Sequence, residues 1–173
     1  MFIYKDVTLK EIFDPSEYVN QMTTLERDKL NIRNADQAIK HNTWESIFEI
    51  FIKKTNIGYV KIYKDLENRK AYINGIYILP KYRQKGYATK TMILVLYYVF
   101  FYFSMHKFET SVFGFNKQSY NLQKKYLVFE SERKESLFHR GKFYSKYYFR
   151  LLRKEYADLM FKYKINIKDI KVL

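Results

Sequence analysis

The chain contains no cysteine, only two prolines and only five glycines among its 173 residues. Without cysteine there are no disulfides, no thiolate metal ligands and no cysteine nucleophile, so any group transfer must proceed without a cysteinyl intermediate. The sequence also contains no low-complexity linker and no internal repeat that would mark a second unit. We therefore expect one domain that spans residues 1–173.

Long apolar runs and metal-ligand patterns are missing as well. The longest apolar run, Met92–Phe103, falls well short of the roughly 20 residues of a membrane-spanning helix, and we interpret it as a buried helix. Lys5 and Asp6 interrupt the apolar start, so no signal peptide is predicted. No zinc-site spacing links the histidines, which are His41, His106 and His139. These absences favour a cytoplasmic protein with no metal and no membrane partner.

Positive charge is the most prominent feature of the composition. Lys+Arg 32 against Asp+Glu 18 gives a net charge of +14, and aromatic residues make up 20% of the chain. Basic, aromatic-rich chains are typical of nucleic-acid-binding proteins. Because the chain has no arginine-rich tract and no RNA-binding aromatic motif, we expect no nucleic-acid partner, and a basic nucleic-acid-binding module stays the alternative. Charge of this sign also attracts a phosphorylated cofactor.

The apolar pattern predicts helix in the N-terminal part and a β-hairpin in the centre. Apolar residues at roughly helical spacing predict helix between Leu25 and Phe51. From Asn56 onwards, IGYVKIY and KAYINGIYIL predict two strands that are joined by the polar turn KDLENR, and the second strand stops at Pro80. Gly75 within that strand indicates a bulge or a bend, which would leave backbone groups available to a ligand.

The segment YRQKGYATKT follows the hairpin and continues into the apolar run. A strand, a basic loop and a helix that starts near Tyr87 together form an anion site, because the first N–H groups of a helix have no helical partners and the helix dipole is positive there. Gly86 and Ala88 lack bulk and allow a phosphate to approach, while Arg83 and Lys85 add charge. Taken alone, the pattern also fits a solvated loop.

Further motifs follow in a fixed order. The segment IYILPKYRQKGYATKTMILVLYYVFFYFSMHKFETSVFGFNKQS ends in an asparagine-x-x-serine motif at Asn116 and Ser119, and RGKFYSKYYFRLLRKEY follows later. This order resembles the GNAT acyltransferases, in particular the branch of ribosomal-protein N-terminal acetyltransferases and spermidine acetyltransferases. The resemblance covers Asn56 to about Tyr156. It implies an α/β (α+β) fold with a twisted, mostly antiparallel sheet flanked by helices, and a splayed strand pair that binds acetyl-CoA.

The resemblance also implies which residues hold acetyl-CoA. The backbone of Ile78 and Leu79 would bind the pantetheine arm, and Asn116 would contact the same arm, with an ordinary N-cap as its alternative role. The pyrophosphate would lie on the loop and the helix start, at Arg83, Gln84, Lys85, Gly86, Tyr87, Ala88 and Thr89.

The implied activity is acetyl-CoA-dependent N-acetyl transfer to a primary amine by direct attack in a ternary complex. The acceptor stays open between a protein N-terminus, an amino sugar, an antibiotic and a polyamine, although a basic chain is an awkward host for a polycation. A GNAT-like domain that binds acyl-CoA without catalysis is a second alternative. A homodimer is also left open.

The sequence departs from the family where the general acid is expected. Many GNAT proteins have a tyrosine seven residues after the asparagine, and this chain has Gln123 there. Helical spacing places Ser119 and Tyr126 on the same face as Asn116, so these two hydroxyls are the predicted catalytic acids. Ile73 replaces the strand glutamate that often serves as base. The remaining candidates for a base, which a surface charge cluster explains equally well, are Glu130, Glu132 and Glu135.

Overall fold

The protein is described by a computed structural model for residues 1–12 and 44–173. Its strands are β1 Phe2–Tyr4, β2 Val7–Ile12, β3 Trp44–Ile52, β4 Thr55–Asp65, β5 Lys70–Ile78, β6 Lys107–Phe113, β7 Val128–His139, β8 Lys142–Leu152 and β9 Ile170–Val172. The helices are α1 Tyr87–Tyr97, α2 Lys117–Tyr126 and α3 Arg153–Lys162, and short 3-10 turns occur at Pro80–Tyr82 and Ile167–Asp169. The mixed α/β class predicted from the sequence is confirmed.

All the strands of the described residues belong to one sheet, in the order β7-β8-β6-β5-β4-β3-β2-β1-β9. Every neighbouring pair is antiparallel except β5 and β6, which are parallel. The parallel pairing runs only from Lys70 opposite Lys107 to Ile73 opposite Thr110. Beyond these pairs β5 and β6 separate, so the splayed strand pair expected from the sequence is present.

A bulge in β5 begins where the pairing with β6 ends. Val60 of β4 lies opposite Ile76, whereas Ile62 lies opposite Ile73, so β5 has one more residue than β4 across this interval. Gly75 lies in the bulge with a φ of 145°, a conformation that residues with a side chain rarely adopt. The bend predicted from Gly75 is therefore confirmed, and it occurs at the start of the opening.

The helix predicted between Leu25 and Phe51 is wrong at its C-terminal end. Residues 44–51 belong to β3, which pairs with β2 on one side and with β4 on the other. Ile47, Phe48 and Ile50 are buried in this strand. Aromatic and β-branched residues favour strands, and pairing on both edges outweighs the helical spacing of the apolar residues. The rest of the predicted helix lies outside the described residues.

The apolar run Met92–Phe103 forms the helix that the sequence predicts, and this helix is buried except at its end, where Phe101 and Tyr102 are exposed. Residues 92–97 of α1 are buried, and a π-helical turn at Tyr98–Tyr102 continues the helix. In that turn the Phe103 N–H donates to the Tyr98 carbonyl oxygen at 3.0 Å. Within the described part of the chain, no helix is long and apolar enough to cross a membrane.

The segments after β6 form helix α2 and the strand pair of β7 and β8. Helix α2 packs against β6 and β8, and its Tyr120 ring lies 5.1 Å from the Tyr147 ring and 5.5 Å from the Phe149 ring. Strand β8 then pairs antiparallel with both β6 and β7. These contacts fix α2 beside the opening between β5 and β6.

Gly58 on β4 lies where the backbone of β5 approaches closely. A Cβ added to Gly58 would lie 2.0 Å from the Tyr77 carbonyl oxygen, and the φ of Gly58 is +156°. We expect Gly58→Ala to push β5 away from β4 and to lower the free energy of unfolding by about 3 kcal/mol or more, measured by denaturant unfolding.

Gly114→Ala is the matched control for this variant. Its Cβ would meet a side-chain atom, Tyr147 Cε2, at 3.2 Å, and a side chain moves aside more easily than a backbone carbonyl. We expect a loss within about 1 kcal/mol for Gly114→Ala. Equal losses in the two variants would contradict the close approach of β4 and β5.

Candidate active site

The opening between β5 and β6 widens into a cavity of about 420 Å³, a size typical of small-molecule sites. Residues 75–78 of β5 form one wall, and residues 82–84 and 86–89 of the loop and α1 form the second. The third wall is one face of α2, which includes Asn116, Ser119 and Gln123. The cavity therefore brings together the strand, the loop and the helix that the sequence singled out.

The first turn of α1 faces the cavity with unpaired backbone donors. Gly86 is the N-cap with a φ of 77°, and the described residues supply no side-chain cap and no acidic residue in the first turn. The N–H groups of Tyr87, Ala88 and Thr89 therefore have no helical acceptor. A Cβ added to Gly86 would meet no atom of the described residues within 4 Å. This end of the cavity has the space and the donors to hold a phosphate group.

The basic side chains around the loop have different partners. Arg83 Nε donates to the Ile78 carbonyl oxygen at 2.7 Å, and the guanidinium lies 5.6 Å from the Tyr77 ring centroid, so Arg83 fixes the loop to the end of β5. Lys90 forms an ion pair with Asp6, and the hydrogen bond from Lys90 lowers the pKa of the Asp6 carboxyl. Lys85 lies outside the cavity wall, with its Nζ 5.8 Å from the Tyr82 ring.

The backbone of β5 differs from the sequence expectation at Leu79. The Leu79 N–H donates to the Ile57 carbonyl oxygen at 2.8 Å, and its own carbonyl accepts from the Tyr82 N–H at 2.9 Å. Both groups are therefore used within the protein, and Leu79 does not line the cavity. Because backbone groups alternate in direction along an antiparallel strand, those of Ile76 and Ile78 point away from β4, towards the opening.

Helix α2 contributes Asn116 and Ser119 to the cavity wall. Asn116 is the N-cap of α2, since its Oδ1 accepts from the Ser119 N–H at 3.2 Å. The cap role that the sequence left open is thus observed, and it leaves the Asn116 amide N–H groups as donors beside the cavity. The Ser119 hydroxyl oxygen accepts a hydrogen bond from Gln123 Nε2 at 3.1 Å.

Tyr126 does not share the cavity wall with Ser119, in contrast to the placement that helical spacing predicted. Its side chain is 4% exposed and packs against the Tyr163 ring, with the centroids 4.8 Å apart. The cavity reaches only Lys125 at this end of α2. Tyr126 is one residue further along the helix than Lys125, so its side chain points away from the opening and into the core.

The carboxylates proposed as bases also lie elsewhere. Glu130, Glu132 and Glu135 are exposed on β7, and Glu130 pairs with Lys107 at 2.8 Å. Ile73, at the position where relatives often have a glutamate, lines the cavity. Among the described residues, the cavity wall contains no acidic side chain.

The structure therefore brings most of the predicted cofactor-binding residues together: Ile78, Arg83, Gln84, Gly86, Tyr87, Ala88, Thr89 and Asn116 line the cavity. Sequence reasoning missed Ile76, Tyr82 and Asn121, which line it as well. The bulge predicted at Gly75 shifts the alternation of backbone groups along β5. The outward direction of the Ile76 backbone could therefore have been inferred from the sequence. The inward position of Asn121 follows only from the packing of α2.

Comparison with known proteins assigns the family. The model of the acetyltransferase (GNAT) family matches residues 7–127, more than half of the chain. The chain belongs to this family, and it is an acetyl-CoA-dependent N-acetyltransferase. No curated protein sequence matches the chain significantly.

Solved structures with the same fold include spermidine N-acetyltransferases. A chimera of the Vibrio cholerae spermidine N-acetyltransferase and hSSAT has a TM-score of 0.75 and 20% identity, over 89% of this chain and 99% of its own. The V. cholerae spermidine/spermine N-acetyltransferase in complex with manganese ions has a TM-score of 0.70 and 20% identity, over 88% and 96%. A dodecameric structure of the V. cholerae enzyme has a TM-score of 0.69 and 20% identity, over 88% and 97%.

Gly86→Val tests the phosphate end of the cavity. The valine side chain would fill the space beside the free N–H groups, so we expect acetyl-CoA affinity to fall at least about a hundredfold, measured by calorimetry. Arg83→Ala should weaken binding less, because the backbone donors remain.

Gly141→Val is the control for backbone strain, because Gly141 has the same φ of 77° and open space around it in the turn between β7 and β8. We expect it to match Gly86→Val in stability and to keep wild-type affinity. Unchanged affinity in a folded Gly86→Val would rule out this anion site.

Proposed function

We propose that this chain transfers the acetyl group of acetyl-CoA directly to a primary amine that enters the cavity between β5 and β6. The observation that carries the proposal is the set of groups that the cavity wall brings together: free N–H donors of α1, backbone groups of β5 that face the opening, and the Ser119 hydroxyl on α2. These groups match the pyrophosphate, the pantetheine arm and the thioester of one extended molecule.

Acetyl-CoA supplies the activated acyl group, and the residues present fit its parts. The N–H groups of Tyr87, Ala88 and Thr89 hold the pyrophosphate, and the absence of a side chain at Gly86 gives it room. The backbone groups of Ile76 and the N–H of Ile78 bind the pantetheine arm as an added strand would, because the Ile78 carbonyl already accepts from Arg83. The amide N–H groups of Asn116 donate to a carbonyl oxygen of the same arm.

Transfer is proposed to be direct because the chain has no cysteine to carry the acetyl group. The β5 backbone N–H groups that face the opening polarise the thioester carbonyl and stabilise the negative charge that develops on its oxygen. The Ser119 hydroxyl gives a proton to the departing sulfur. In this scheme the residues of the protein orient and stabilise, and none of them becomes acetylated.

No described carboxylate reaches the cavity wall, so we assign removal of the amine proton to water and backbone carbonyl oxygens. An amine with a pKa near 10.4 is neutral in only about one molecule per few thousand at pH 7. The rate at low amine concentration should then increase with pH in parallel with the neutral fraction of the amine.

The acceptor class stays open between protein N-termini, amino sugars, antibiotics and polyamines. The solved structures of similar fold are spermidine N-acetyltransferases, which makes polyamines a necessary part of any substrate panel. The net charge of +14 opposes the approach of a polycation and weighs against polyamines. We infer that the chain acts as a single domain in the cytoplasm.

A thiol-release assay with a panel of amines tests the reaction. Peptides, polyamines, amino sugars and aminoglycosides are each offered with acetyl-CoA, and the best acceptor is used for initial-rate kinetics. We expect intersecting lines, as a ternary complex requires. Parallel lines together with an acetylated protein that turns over would contradict direct transfer.

Binding measurements with acetyl-CoA and with oligonucleotides, made beside this assay, distinguish the two non-enzymatic alternatives. Tight acetyl-CoA binding without turnover on any amine would indicate a binding domain without catalysis. Salt-dependent binding to random oligonucleotides without affinity for acetyl-CoA would indicate a nucleic-acid-binding module.

Ser119→Ala tests the proton donor. A group that protonates the leaving sulfur acts only in the transition state, so we expect kcat to fall about a hundredfold, with the acetyl-CoA affinity nearly unchanged. Tyr126→Phe is the comparison, because the Tyr126 ring packs in the core, and we expect it to keep wild-type kcat. If Tyr126→Phe loses kcat and Ser119→Ala does not, the assignment of the acid is wrong.

A further inference from the structure

Gln123 on α2 is a buried polar side chain that the proposed reaction leaves without a role. The residue is 2% exposed and lines the cavity at the position where many family members have a tyrosine. Its Nε2 donates to Ser119 Oγ at 3.1 Å, and its Oε1 is buried with no hydrogen-bond partner in the described part of the chain. An unpaired buried amide oxygen lowers stability, so packing alone does not explain a glutamine here.

The direction of the Gln123–Ser119 hydrogen bond follows from the kind of groups left unpaired. In the observed orientation the amide leaves its oxygen without a donor and one of its two N–H groups without an acceptor. In the reversed orientation Ser119 would donate to the oxygen, and both N–H groups of the buried amide would lack acceptors. Buried N–H groups without acceptors are rarer in proteins than under-satisfied carbonyl oxygens. The observed orientation, with the amide as donor and Ser119 Oγ as acceptor, is therefore the favoured one.

This direction decides what the Ser119 hydroxyl does. The amide N–H occupies one lone pair of Ser119 Oγ, and it offers no acceptor for the hydroxyl proton. The Ser119 N–H is held by Asn116 Oδ1, which fixes the start of α2 and the position of Ser119 on the cavity wall. The hydroxyl proton of Ser119 is then left to donate into the cavity.

We propose that Gln123 is a positioning residue that keeps the Ser119 hydroxyl proton directed at the departing sulfur, an inference that rests on the proposed role of Ser119. As the new C–N bond forms and the C–S bond breaks, the electron pair of the C–S bond goes to sulfur, and the Ser119 O–H gives sulfur its proton. The Gln123 N–H stabilises the negative charge on Ser119 Oγ until the proton released by the amine restores the hydroxyl through water.

Two replacements of similar size separate this role from packing. Gln123→Met removes the donor, so the Ser119 hydroxyl is free to bond the preceding turn of the helix, and we expect kcat to fall about tenfold. Gln123→Glu provides a carboxylate that accepts the hydroxyl proton, and we expect a fall of about a hundredfold, equal to the loss in Ser119→Ala. In both variants KM for acetyl-CoA should change by less than about threefold.

Two readouts do not depend on turnover. Because a buried amide oxygen without a partner is removed, Gln123→Met should keep or raise the Tm, whereas a structural glutamine would give a lower Tm. Ultraviolet titration of the thiolate of bound CoA measures the second effect. A directed Ser119 hydroxyl stabilises the thiolate, so the pKa of the bound thiol should be higher in Ser119→Ala and in Gln123→Met than in wild type.

Gln118→Glu is the charge control for Gln123→Glu. Gln118 lines the same cavity but is exposed, and among the described residues it has no hydrogen bond to Ser119, so Gln118→Glu brings the same charge to the cavity wall without capturing the hydroxyl proton. A protonated carboxyl donates as the amide does, so the kcat of Gln123→Glu relative to wild type should recover as the pH is lowered. The corresponding ratio for Gln118→Glu should not depend on pH.

A double-mutant cycle with Ser119→Ala distinguishes failure of this inference from failure of the proposed function. If Gln123 acts through Ser119, Gln123→Met should change kcat by less than about twofold in the Ser119→Ala background. A full tenfold loss in that background, or a kcat that stays at or rises above wild type in Gln123→Met alone, would overturn the inference. Wild-type kcat in Ser119→Ala would overturn the proton donor and the inference together.

Discussion

Hydrogen bonding between β5 and β6 stops after Ile73 and Thr110, and the site depends on this interruption. At the apex of the opening, Thr110 Oγ1 donates to the Ile73 carbonyl oxygen at 3.3 Å. Beyond it, the bulge at Gly75 turns the next part of β5, while pairing with β4 holds the other edge of the strand. A strand edge left unpaired inside a sheet costs free energy, and an extended ligand that adds as a strand restores the missing hydrogen bonds.

The phosphate end of the site is built mainly from backbone, although the chain is strongly basic. The N-terminus of α1 lacks a side-chain cap in the described residues, Lys90 is paired with Asp6, and Arg83 bonds the end of β5. The positive charge of the chain therefore contributes to attracting an anion over a distance, and the N–H groups of α1 define where it binds. On α2 a local hydrogen bond likewise defines a position, because the Asn116 cap holds Ser119 on the cavity wall.

Local patterns predicted the hairpin, the bulge, the loop and the starts of α1 and α2, because each depends on residues close together in sequence. The strand β3 was missed because it is stabilised by pairing with β2 and β4, and single-sequence periodicity does not contain that information. Leu79 was placed in the site by the family resemblance and Tyr126 by helical spacing, and one residue of register along the strand or the helix directs each of them elsewhere. Gln123 was recognised as a departure from the family, whereas its hydrogen bond to Ser119 required the structure.

The central claim is that the opening between β5 and β6 holds acetyl-CoA in one direction, from the N-terminus of α1 to Ser119. A crystal structure of the complex with acetyl-CoA is the most direct test. The account predicts pyrophosphate oxygens about 3 Å from the N–H groups of Tyr87, Ala88 and Thr89, with the thioester sulfur beside Ser119 Oγ. Acetyl-CoA bound outside the opening, or bound in it with the thioester away from Ser119, would contradict the account.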